Sequence, residues 1–242
     1  MCSSDLEAIN KNTRVVSIGL HHWAEGTKFD IESIREKTKS VGSLLIIDGT
    51  QSIGVVPFDV SLIKPDALIC AGYKWLMGPY GITLSYYGEF FDNGFPIEES
   101  WVNRKNSADF SGLINYQEEY EGVSNRYSVG QQSNFINVSM MAAAIKQINN
   151  WGVENIYNYI NSITNDFFNL VNRSNFWVEK KEYRSAHLFG IKPKKNHQKI
   201  LKNLKEKNIY VSLRGDSIRV SPSVYNKKED LMRLLRCLNE SV

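Results

Sequence analysis

Apolar positions along the chain fall into short runs and spaced stripes that alternate as strands and helices do. Residues 14–20 are rich in β-branched side chains and predict a strand. Asp30 then stands as a helix N-cap, Ile31, Ile34, Thr38 and Val41 recur near helical spacing, and Gly42 can supply the left-handed stop. Leu44, Leu45, Ile46 and Ile47 follow at once as a continuously apolar strand, the pattern of a sheet covered on both faces. Strand, helix and strand in this order predict a right-handed parallel crossover.

Further strands are predicted over residues 67–71 and 81–87, and the Asn-, Gly- and Ser-rich stretch 92–128 reads as long loops. Helices over 139–151 and 153–171 break at Gly152. The pattern then restarts with a strand near 186–191, a basic helix over 197–207, strands over 209–213 and 217–220, and a helix over 227–238. This predicts an α/β protein in two parts, residues 1–150 and 151–242, with a mostly parallel sheet in the first and a smaller α/β unit in the second.

Composition narrows the class. Hydrophobic residues make up 42% and charged residues 23% of the 242 positions, as in an ordinary globular protein. The net charge of +3 is spread along the chain, so neither nucleic acid nor an anionic membrane is called for as a partner. No apolar run approaches the roughly 20 residues of a membrane span, and the N-terminus shows no secretory pattern. Cys2, Cys70 and Cys237 have no paired spacing and cannot all pair. That argues against a zinc site or a disulfide framework, predicts no metal, and fits a reducing compartment such as the cytoplasm.

Two residues carry candidate chemistry. Asp48 ends the apolar strand 44–47, and ligands of open α/β sheets bind beyond the carboxyl ends of strands. Lys74 follows the apolar strand 67–71 and precedes Trp75-Leu76-Met77-Gly78-Pro79, so it is partly desolvated and its amine is available as a nucleophile. Taken singly, Asp48 reads first as a turn residue and Lys74 as a lysine snorkelling from a turn. Together they end neighbouring strands, and a lysine for a Schiff base with a carboxylate for a ring nitrogen is what pyridoxal 5'-phosphate (PLP) requires.

The run Asp48-Gly49-Thr50-Gln51-Ser52-Ile53-Gly54, then Phe58-Asp59-Val60, then Ala71-Gly72-Tyr73-Lys74-Trp75-Leu76-Met77-Gly78-Pro79-Tyr80-Gly81 resembles the class V aminotransferases. That PLP-dependent group includes cysteine desulfurases, kynureninases and isopenicillin N epimerase-like proteins. The resemblance continues through Arg126-Tyr127-Ser128-Val129-Gly130 to Arg219-Val220-Ser221-Pro222-Ser223-Val224-Tyr225-Asn226 and covers nearly everything after about residue 12. It implies a fold type I PLP-dependent transferase that acts on an amino acid through an aldimine, as a transaminase, lyase or epimerase.

The resemblance also implies roles. Lys74 would form the Schiff base and move the Cα proton; Asp48 would pair with the ring nitrogen; Gln51 would meet the ring hydroxyl; Tyr73 would touch the phosphate. Ala71 stands where many relatives have a phosphate-binding Ser. Trp23 falls where desulfurases carry an Asn and could pack near the cofactor, while His21 and His22 read as strand-end packing residues. Arg219 matches the arginine that grips the substrate carboxylate, with Arg214 as second candidate. The loop Gly130-Gln131-Gln132-Ser133, ahead of a helix, would reach the phosphate of the other subunit of a homodimer. Relatives carry an upstream half-domain with a phosphate loop and a ring-stacking residue, so the chain is expected to be N-terminally truncated and inactive alone. A desulfurase, or a PLP fold without turnover, is the alternative; against a desulfurase, residues 209–219 hold no cysteine.

Overall fold

The computed structural model describes residues 3–129 and 132–241. A short helix α1 (Ser3–Ala8) leads into β1 (Val15–Gly19), α2 (Ile31–Val41), β2 (Leu44–Asp48), α3 (Val60–Ile63), β3 (Ala67–Ala71) and β4 (Thr83–Tyr87). Short 3-10 turns punctuate the loops that follow, up to α4 (Phe135–Trp151) and α5 (Val153–Leu170). Then come β5 (Phe176–Trp177), β6 (Phe189–Pro193), α6 (His197–Glu206), β7 (Ser212–Arg214), β8 (Ser217–Val220) and α7 (Lys228–Glu240).

The first sheet has the order β1-β2-β3-β4. Strands β1, β2 and β3 pair in parallel, with Gly19 opposite Asp48 and Asp48 opposite Ile69, whereas β4 runs antiparallel to β3. The crossover helix α2 is bounded as its sequence predicts: the Asp30 side chain accepts from the Ser33 amide, and Gly42 adopts φ 73°. Asp66 joins three elements. Its carboxylate takes the Leu45 amide at 2.7 Å and the Arg35 guanidinium at 2.7 Å, which holds the start of β3 against β2 and α2.

The second sheet has the order β5-β6-β8-β7 and is antiparallel throughout. Two buried clusters match the two sheets. Ile34, Leu45, Ile47, Leu68, Met141 and Ile160 belong to the first, and Phe167, Phe176, Phe189, Ile191, Ile218 and Leu238 to the second. Helix α5 joins them: Ile156 and Ile160 pack in the first cluster, Ile163, Phe167 and Phe168 in the second. Among the described residues, no helix is long and apolar enough to cross a membrane.

Several boundaries differ from the sequence reading, for identifiable reasons. Helix α4 starts at Phe135 rather than 139, because Asn134 caps it by accepting from the Asn137 amide. Strand β7 covers Ser212–Arg214 rather than 209–213. A tight turn at Gly215 (φ 59°) sets Arg214 opposite Ser217, and Ile209 and Val211 pack on the second core instead of pairing. Strand β6 begins at Phe189, whose partner Val220 ends β8, so residues 186–188 have no strand to pair with. The short α1, α3 and β5 have no counterpart in the sequence reading; each is too brief to show a period.

The turn at residues 22–27 lies against the second sheet. The Gly190 amide donates to the Glu25 carbonyl at 2.9 Å, and the Glu25 carboxylate meets Lys192 at 2.5 Å. Gly26 sits at φ 70°, where a Cβ would stand 1.7 Å from the Leu188 carbonyl oxygen. Gly26→Ala therefore has to displace backbone as well as strain its own φ. We expect a loss of about 2 kcal/mol or more in unfolding free energy, read by urea denaturation; an unchanged midpoint would show that the turn does not seat against Leu188.

Candidate functional site

Loops leaving the carboxyl ends of β1, β2 and β3 meet strands β7 and β8 around a cavity of about 700 Å³. Trp23, Asp48, Gln51, Tyr73, Lys74, Arg214 and Arg219, far apart in sequence, all line it. The parallel register explains the convergence from the first sheet: Asp48 ends β2, Lys74 follows β3 by three residues, and Trp23 follows β1 by four. Arg219 lies on β8 and Arg214 ends β7, and both reach the first sheet because the 22–27 turn docks there. Arg219 donates to the Trp23 carbonyl at 3.0 Å, and the Arg214 guanidinium lies 5.9 Å from the Trp23 ring centroid.

The charges of the cavity are not paired with one another. Among the described contacts, Asp48 takes only the Thr50 amide, at 2.9 Å, on one carboxylate oxygen. The ion pairs of the described residues include none of Asp48, Lys74, Arg214 or Arg219. Burial lowers the pKa of Lys74 below its ordinary value; Arg219 adds to this, Asp48 opposes it, and Arg214 contributes less. Burial and then Arg214 likewise lower that of Arg219, and its Nε is buried without a partner among the described residues. Three cationic side chains against one carboxylate leave a cavity suited to anionic groups. Tyr73 is exposed at its edge, stacked on Tyr80 with centroids 4.2 Å apart and 5.7 Å from Lys74 Nζ.

Ser133 lies elsewhere, in a separate cavity of about 650 Å³ with Trp101 and Phe135. Gly130 and Gln131 lie outside the described residues. The sequence reading missed a buried polar group beneath the site. His21 lines the cavity and bonds through Nδ1 to Ser52 Oγ at 2.7 Å. His187 contacts the His21 ring edge-on at 5.0 Å and reaches the Gln51 carbonyl. A lone histidine 136 residues from its partner carries no local signal, so only the fold reveals it. Cys70 and Cys237 are both buried and line no part of this cavity. Burial, then Asp48, pushes the Cys70 thiol up to about 12.

The profile of the aminotransferase class-V family matches residues 2–234. The chain belongs to that family. The uncharacterized aminotransferase YcbU of Bacillus subtilis (strain 168) is 28% identical over 230 residues, covering 92% of this chain and 58% of that protein. A probable cysteine desulfurase of Pyrococcus abyssi (strain GE5 / Orsay) is 33% identical over 90 residues, 37% of this chain and 22% of the relative. In fold, the apo cysteine desulfurase of Thermococcus onnurineus NA1 superposes with a TM-score of 0.81 at 20% identity, over 98% of this chain and 62% of that one. The cystine C-S lyase C-DES, in complex with its product cysteine persulfide, gives 0.82 at 20% identity over 98% and 63%. The chain thus spans about three-fifths of the length of these longer matches. Its fold is that of fold type I PLP enzymes, and PLP is the family's cofactor. The cavity fits such a group: it holds an amine, a carboxylate with an open oxygen, and a guanidinium whose buried Nε has no partner.

The buried histidines make the fold sensitive to acid. Burial, then His187, then Lys28 push the pKa of His21 from 6.5 down to about 3. Burial takes His187 from 6.5 to about 4, against the pull of the Gln51 carbonyl and with a further push from Lys28. Both folded values lie below the unfolded value of 6.5, so as pH falls the unfolded chain binds protons first. Stability is therefore complete above about pH 6.5 and declines below it, by up to about 1.4 kcal/mol per pH unit for each histidine. Urea midpoints should hold between pH 7.5 and about 6.5 and then fall towards pH 5, above most carboxylate titration; a flat profile below 6.5 would contradict the neutral, buried pair.

Proposed function

We propose that the cavity between the two sheets is a PLP site and that the protein acts on an amino acid as a transaminase, lyase or epimerase. The observation that carries this reading is the gathering of Lys74, Asp48 and Arg219, none paired with another, around one cavity at the carboxyl edge of the parallel strands. Bound there, PLP supplies an electron sink that labilises bonds at the substrate Cα. Lys74 anchors it and, with its pKa lowered by burial, takes and returns the Cα proton. Asp48 would pair with the ring nitrogen, Gln51 with the ring hydroxyl and Tyr73 with the phosphate. Arg219 grips the substrate carboxylate with its planar fork, which fixes Cα for proton transfer, and Arg214 stands as a second cation on the same wall. Trp23 closes the side of the cavity on which both arginines lie.

A desulfurase-type reaction is the second reading, favoured by the names of several relatives. It needs a thiolate at the substrate. Neither described cysteine lines the cavity, and burial raises both thiols, so we place this reading second. We further propose a cytoplasmic homodimer in which the loop 130–133 reaches the partner's cofactor, and a division into parts of residues 1–150 and 151–242.

Borohydride reduction of the PLP-loaded protein, followed by peptide mass mapping, should place the cofactor on Lys74; a label on another lysine would move the site. Arg219→Lys keeps the charge and loses the fork. It should weaken binding of amino-acid substrates by about ten-fold or more while leaving the bound-cofactor absorbance unchanged. Unchanged substrate affinity would transfer the carboxylate site to Arg214.

A further inference from the structure

The buried histidine beneath the cavity is built into both halves of the site. His187 is 1% exposed and comes from the segment just before β6, in the second unit. Its Nε2 lies 2.7 Å from the Gln51 carbonyl oxygen, and its Nδ1 lies 2.6 Å from Ser185 Oγ. A carbonyl can only accept, so Nε2 carries the proton. Nδ1 of the neutral ring then holds a lone pair and accepts from the Ser185 hydroxyl, which fixes the tautomer. The Gln51 carbonyl depends on this contact. In the turn after β2, backbone amides reach the carbonyls of Gly49 and Ser52 on either side of it, but among the described contacts none reaches that of Gln51.

The same ring supports the lysine segment. Trp75, next in sequence to Lys74, packs edge-on against His187 with centroids 5.0 Å apart. The two segments are themselves pressed together: Gly54 adopts φ 98°, and a Cβ there would stand 2.6 Å from the Trp75 carbonyl oxygen. One side chain from the second unit therefore touches both segments that lead candidate groups into the cavity.

We propose that His187 is a positioning residue that holds the Gln51 carbonyl and the Trp75 ring and thereby sets Gln51 and Lys74 for the cofactor, a role that rests on reading this cavity as a PLP site. The test uses His187→Gln, whose amide nitrogen stands near the place of Nε2, and His187→Asn, whose shorter amide stands near Nδ1 and cannot reach Gln51. Two readouts are taken for each: amide exchange of residues 50–53 in the cofactor-free protein, and the affinity and absorbance maximum of bound PLP.

We expect His187→Asn to speed exchange of residues 50–53 and to weaken PLP, each by about ten-fold, with a shifted absorbance maximum. His187→Gln should bring both back to within about three-fold of wild type. Two results would overturn the proposal: wild-type exchange and affinity in His187→Asn, or equal impairment in both variants, which would mark His187 as a packing residue. Should the wild-type protein take up no PLP, the reading of the cavity fails. The exchange comparison would still decide whether His187 holds the Gln51 turn.

Discussion

Parallel hydrogen bonding of Leu44–Asp48 between Val15–Gly19 and Ala67–Ala71 decides where every candidate group of the first sheet lies. Because the three strands point the same way, the chain leaves each of them at one edge, and Trp23, Asp48 and Lys74 emerge within reach of one cavity. A one-residue slip of β2 would turn Leu45 and Ile47, both fully buried, away from the core. The register is therefore secured by the same side chains that fill the first cluster. Asp66 adds a polar lock at the other end of the strands, where Arg35 and the Leu45 amide share its carboxylate.

The second sheet completes the site. Gly26 and Gly190 allow the 22–27 turn to lie flat on β6, and that contact brings the Arg219 guanidinium to the Trp23 carbonyl. His187 makes the matching connection beneath the cavity floor. The resulting wall is rich in positive charge that Asp48 offsets only in part. Burial, and then the nearby Arg219, lower the proton affinity of Lys74, and holding three cations near one another costs stability in the protein without ligand. Anionic groups of the proposed cofactor and substrate would relieve that cost, which would couple binding to the docking of the two sheets.

Much of this was legible in the sequence. The strand–helix–strand unit could be read because Asp30, Gly42 and the apolar run 44–47 each carry a local signal that tertiary structure did not override. Asp48 and Lys74 could be paired because both follow apolar strands, and the wider motif carried the resemblance to class V aminotransferases. The offsets of β6 and β7 were not legible, since Gly215 and the partner strand set those registers rather than local propensity. Nor was His187, whose contacts with Gln51 and Trp75 exist only once the segment before β6 meets the first sheet. The antiparallel β4 depends likewise on how β3 is followed, not on a pattern within its own five residues.

In the proposed function Asp48 and Lys74 serve one cofactor. The most direct measurement is the 15N NMR signal of PLP labelled at its ring nitrogen and bound to the protein, compared with the Asp48→Asn variant. We expect a protonated ring nitrogen in the wild type at pH 8 and an unprotonated one in the variant, with the cofactor still attached through Lys74. An unprotonated nitrogen in the wild type, or an identical signal in the two proteins, would show that Asp48 is a turn residue and that the cavity does not work as described.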